Sequence, residues 1–151
     1  MLDLDSPEWR KLRVPLGDAS RIPLLIRAFL RAPSMDRFDQ FWDELTGVGD
    51  LAIHNAFFAA LPHAVAMVRL LRGEALEQGL AQLGWGIALS GGRDTPKDLA
   101  DSFQASTREV AHLAGQLLET GVSEPNRSYI LAAFEAGNGR YELALSIIDD
   151  L

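Results

Sequence analysis

The sequence predicts an all-α chain, with about eight helices stacked as hairpins into a short α-α superhelix. Three observations carry that expectation. β-branched residues are few, and the alternation of a half-buried strand is hard to find. Apolar residues recur instead at spacings of three and four, the period of one helix face. Helix-starting and helix-stopping residues then punctuate the chain at short intervals. A length of 151 residues suits one domain. Residues 1–19 read as an irregular lead-in and 20–151 as a single helical-repeat domain.

In the lead-in, Pro7, Pro15 and Gly17 break any period. Ser20 is then placed to cap a first helix whose stripe is Ile22, Leu25, Ile26, Phe29 and Leu30, with Pro23 tolerated in the first turn. Pro33 stops it. Ser34 caps a second helix over Met35 to Thr46, with Phe38, Phe41, Trp42 and Leu45 inward, and Gly47 and Gly49 end it. Asp50 caps a third helix to about Ala60, and Pro62 opens a fourth ending near Gly73. A fifth covers Glu74 to Ser90 despite Gly79, Gly84 and Gly86. Thr95-Pro96-Lys97-Asp98 starts a sixth, in which Leu99, Phe103, Ser106, Val110, Leu113 and Leu117 follow at intervals of four and three. Ser123-Glu124-Pro125 starts a seventh with Ile130, Ala133 and Phe134 inward. Gly137-Asn138-Gly139 turns into a last helix carrying Tyr141, Leu145, Ile148 and Leu151. Pro23 and Pro62 lie 39 residues apart, each flanked by core residues, near the roughly 40-residue period of helical-hairpin repeats.

Composition narrows function mainly by exclusion. The formal net charge of −7 and pI near 4.9 argue against nucleic acid or an anionic membrane as partner, since phosphates demand a basic face. The same balance suits a basic protein partner. No cysteine is present, which excludes disulfides, thiolate catalysis and cysteine-ligated zinc. Met1-Leu2-Asp3-Leu4-Asp5 lacks the basic stretch of a signal peptide. The most apolar run, Ala56 to Val68, is 13 residues long and too short for a bilayer span. A cytoplasmic location is the expectation.

Several stretches together resemble bacterial HEAT-like, armadillo-type helical-repeat proteins. These are Trp9 and Gly17 ahead of Ile22-Pro23-Leu24-Leu25, then Trp42-Asp43-Glu44-Leu45, and Ala60-Leu61-Pro62-His63-Ala64-Val65. Tyr129 to Phe134 with Gly139 completes the set. The family's turn before the third helix carries Gln-Gly and an aromatic; here it reads Gly47-Val48-Gly49-Asp50. The resemblance implies a scaffold of HEAT-like hairpins that binds other proteins along a curved surface. Some relatives look like immunity proteins for secreted toxins, which implies a toxin as partner.

Candidate sites are few. Asp36, Asp39 and Asp43 fall at i, i+3 and i+7 with Glu44 adjacent, one stripe of a helix. Such a row is ordinarily the solvated face opposite the core. As a working surface it suits contact with a basic partner through steering and charge-assisted hydrogen bonds, unless Arg27, Arg31 and Arg37 neutralise it. His54 and His63 form a second candidate, a ligand site if the fold brings them together; His63 in an apolar helix is ordinarily a packed residue. His112 belongs on the flank of its helix. No histidine pair has the i, i+4 spacing of a helical zinc site, and Ser90 to Thr95 lacks the ending of a phosphate loop. No metal, cofactor or catalytic residue is assigned. The expectation is a non-enzymatic protein-binding module, in one version an immunity protein. The alternatives are a small ligand-binding or enzymatic helical domain, with a site assembled from distant helices, and a homodimer that buries an apolar helix.

Overall fold

The computed structural model describes residues 1–49, 51–91 and 93–151. Among them, seven α-helices carry most of the chain: α1 (Ile22–Arg31), α2 (Met35–Thr46), α3 (Ala56–Val68), α4 (Gly73–Ser90), α5 (Ala100–Thr120), α6 (Arg127–Gly137) and α7 (Tyr141–Asp149). One sheet accompanies them, an antiparallel pair of two-residue strands, β1 (Arg13–Val14) and β2 (Gly17–Asp18). The fold is mostly helical, as expected. None of these helices is long and apolar enough to cross a membrane.

Seven helices stand where about eight were expected because Pro62 lies inside α3 rather than at a helix start. Nearly every residue of α3 is buried, so the segment is apolar all round, as a core helix is. Proline in a helix interior costs about 3 kcal/mol, by removing one hydrogen bond and crowding the preceding turn. Breaking the helix there would leave up to about four N–H and four C=O groups without helical partners. Each such group, if unsatisfied in the core, costs about 1–3 kcal/mol. Continuing through the proline is cheaper. It also makes Pro23 and Pro62 non-equivalent, since Pro23 sits in the first turn of α1. The expected cap at Asp50 lies outside the described residues, and α3 begins at Ala56.

Two other helix starts move as well. Ser20 does not cap α1: Arg21 holds the cap position without a side-chain bond, and the Ser20 N–H instead donates to Asp18 Oδ1 at 2.8 Å. Thr95-Pro96 does not open α5. The Leu99 N–H closes a turn onto the Pro96 carbonyl at 2.9 Å, and the helix starts after it, at Ala100. Ser34, by contrast, caps α2 as expected, accepting from the Arg37 N–H at 3.2 Å.

α3 is the hub: it packs against α1, α2, α4 and α5. A run of aromatic contacts follows these junctions. Phe29 of α1 meets Phe38 of α2 edge-on at 6.4 Å, Phe38 stacks on Trp42 at 5.9 Å, and Trp42 meets Phe57 of α3 at 6.1 Å. Phe58 then reaches Phe103 of α5 at 4.9 Å. In the C-terminal half α6 is wedged between α4 and α5, with α7 across it. Glycine makes that wedge possible on both sides. A Cβ on Gly84 of α4 would lie 2.5 Å from the Ala133 backbone, and one on Gly137 of α6 would lie 2.5 Å from the Thr107 carbonyl oxygen.

Residues 1–19 are ordered by specific bonds despite their lack of period. Ser6 caps a 3₁₀ turn over Pro7–Lys11 that carries the buried Trp9, whose indole N–H donates to the Asp3 carbonyl at 2.9 Å. Asn55, just before α3, accepts the Arg13 N–H at 2.6 Å. His63 of α3 donates from Nε2 to the Leu2 carbonyl at 2.7 Å. The lead-in is thereby tied to the hub helix at both ends of its span.

Candidate functional site

α2 has a core face and a wet face, and the acidic row occupies the wet one. At about 3.6 residues per turn, positions 38, 41, 42 and 45 point to one side and 36, 39 and 43 to the other. Phe38, Phe41, Trp42 and Leu45 are buried accordingly, while Asp36 and Asp43 are exposed and Asp39 is half-buried. The row forms a ridge with a neighbour on each flank. Toward α1, Glu44 pairs with Arg21 at 3.7 Å. Toward α4, Asp39 Oδ1 accepts from Gln82 Nε2 at 3.1 Å.

Arg21 offsets Glu44 at the edge of the cleft, but not the aspartates of the row. Among the described residues no lysine or arginine forms an ion pair with Asp36, Asp39 or Asp43. Arg27 is engaged elsewhere, with Asp5 at 2.5 Å, and Arg37 folds back to donate to the Ala32 carbonyl at 2.9 Å. Arg31, at the C-terminal end of α1, has no acidic partner among these residues. Asp43 registers the imbalance. Partial withdrawal from water, and then the charge of Asp39 one turn away, hold its carboxyl above the ordinary aspartate range.

Beside the ridge runs an open cleft of about 620 Å³ between the β1–β2 turn, α1 and α2. Asp43, Glu44 and Gln40 form its α2 wall, and Leu16 and Val48 stand at its lips. Both lips are unusually bare, Leu16 at 93% and Val48 at 83% exposure. Leu16 occupies the tip of the hairpin. Val48 is pushed outward between Gly47 and Gly49, each at φ +91, a left-handed conformation that glycine adopts without strain. A smaller cleft lies on the other flank, where Met35 and Asp39 of α2 face Gln82 and Trp85 of α4.

The fold gives the two candidate histidines different surroundings. His54 is exposed just before α3. His63 is buried, tilted against Trp9 with ring centroids 6.0 Å apart and bonded to Leu2. Burial holds its pKa below the ordinary histidine value, opposed in part by the Leu2 bond. Its role is to fasten the lead-in, and no bond joins it to His54. His112 is exposed on α5. Among the described residues no cluster of three or more histidines and carboxylates is arranged to hold a metal ion.

Sequence reasoning finds the acidic row but misses the residues beside it: Leu16, Val48, Gln82 and Trp85. Three of them carry a local signal. A large apolar residue set in a turn (Pro15-Leu16-Gly17), or held between two glycines (Gly47-Val48-Gly49 and Gly84-Trp85-Gly86), has reason to point away from the core. Gln82 carries none, because its position depends on how α2 and α4 meet. Comparison with protein-family models, with curated proteins and with solved structures finds no match to this chain.

Proposed function

We propose that this protein is a non-enzymatic protein-binding module whose α2 ridge receives a basic surface of another protein. The observation that carries the reading is a row of three aspartates without cationic partners, set beside a cleft with bare apolar lips. Acidic groups left unbalanced steer a basic partner and fix its register, while exposed Leu16 and Val48 supply apolar area to bury on contact. A HEAT-like stacking of hairpins belongs to the same reading. It is supported by the resemblance of Trp42 to Leu45 and Ala60 to Val65 to that family, and by the packing of α1 on α2 and of α6 on α7. In its specific form the module is a cytoplasmic immunity protein that masks a basic toxin domain.

The test begins with the products of the neighbouring genes. The purified protein should form a complex with one of them, and cells lacking the protein should become sensitive to that product. If no neighbour binds and the deleted cells are indifferent, the immunity form fails. If a complex forms but survives Asp36→Lys with Asp43→Lys unchanged, the ridge is not the contact surface.

A further inference from the structure

We infer that the cleft between α2, α4 and the start of α6 is a receptor for an arginine side chain. The inference rests on the ridge reading and specifies what the partner brings to its α4 flank. The cleft holds about 260 Å³, and each helix contributes residues one turn apart. Met35 and Asp39 come from α2, Gln78, Ala81, Gln82 and Trp85 follow one stripe of α4, and Asn126 and Tyr129 close the far side.

Two features select the ligand. Trp85 is 38% exposed, whereas Trp9 and Trp42 are buried at 2% and 4%. An indole face left open to solvent in a concave site is a platform for a flat or cationic group. Asp39 is the only charged residue of the lining, which disfavours anions and favours a cation. Gln82 donates to Asp39 Oδ1 at 3.1 Å and so holds the carboxylate in place at the cleft wall. A guanidinium group meets both conditions: it is planar and positively charged, and its N–H donors suit the Asp39 carboxylate. A lysine ammonium is compact and strongly hydrated, and makes poorer use of a flat indole.

The probe is N-acetyl-argininamide, titrated into the ¹⁵N-labelled protein, with the neutral N-acetyl-citrullinamide as its near-isostere. Side-chain amide signals of Gln82 and Asn126 and the Trp85 indole N–H should shift and saturate. Binding of the arginine probe should exceed that of citrulline at least about ten-fold, as loss of a charge facing both a carboxylate and an indole requires. Asp39→Asn should weaken the arginine probe at least about five-fold. Trp85→Ala, read through the Gln82 and Asn126 signals, should do the same, with circular dichroism and the unperturbed amide signals of α5 checking that each variant keeps the fold. Equal binding of the two probes, unmoved signals, or an unchanged affinity in Asp39→Asn overturns the inference. Because the titration uses no partner protein, its failure removes the arginine receptor alone. A complex that survives reversal of Asp36 and Asp43 removes the ridge reading and leaves the receptor to be decided by the titration.

Discussion

The Asp43 carboxyl resists ionisation, first because it is partly withdrawn from water and then because Asp39 stands one turn away. An acid whose folded pKa is raised contributes most to stability below its unfolded value, 3.8, and that contribution is lost as pH rises through the folded value. At neutral pH the charged form is therefore a burden on the folded state. Asp43→Asn is expected to raise the melting temperature at pH 7, with the gain shrinking as the pH falls through the raised folded value toward 3.8. Thermal denaturation across that range checks it, and a loss of stability at pH 7 would contradict it. His63 has the opposite sign. A base whose folded pKa is lowered contributes fully above its unfolded value of 6.5, and that contribution falls as acid drives the pH down toward the lowered value. The wild type should lose melting temperature from pH 7 to pH 5, and His63→Gln should flatten that slope. Equal slopes in the two proteins would mean that His63 is not withdrawn from water in the folded state.

At the scale of elements, α6 depends on two glycines for its place between α4 and α5. Gly84→Ala presses a methyl group into the Ala133 backbone, which cannot yield as a flexible side chain would. The expected loss is about 1–3 kcal/mol, each kcal/mol being worth roughly 2–4 °C in a chain of this size. An unchanged melting temperature would show that the two helices have room to separate. Gly84 also marks what a sequence exposes and what it conceals. A glycine within a helical pattern reads only as a weakness, because the backbone it must meet lies 49 residues further on. Pro62 is concealed for the same reason: its local signal is a helix start, and only the burial of α3 on every side overrides that. α2 is legible throughout, since its Ser34 cap, its buried stripe and its glycine stop all lie within the segment. The acidic half of the candidate site is legible with it. The Trp85 cleft is not, as it takes residues from α2, α4 and the start of α6.

For the whole molecule, a net charge of −7 favours long-range attraction to a basic partner, and on the proposed reading the ridge gives it a place. Recognition of that kind weakens as salt shortens the screening length to about 8 Å at physiological ionic strength. The apolar lips act at shorter range. Leu16→Ser with Val48→Ser should slow dissociation less effectively than wild type, raising the off-rate while leaving the on-rate within about two-fold, since rim charge rather than apolar area governs encounter. Surface plasmon resonance separates the two rates, and a change confined to the on-rate would contradict this division. The central claim, that the α2 ridge is the contact surface for a basic partner, is met most directly by calorimetric titration of that partner into wild type and into Asp36→Lys with Asp43→Lys, at low and physiological salt. The account predicts at least about a ten-fold loss of affinity, equivalent to about 1.4 kcal/mol, and a weaker dependence on salt in the variant. Equal affinity and equal salt dependence in the two proteins would contradict it.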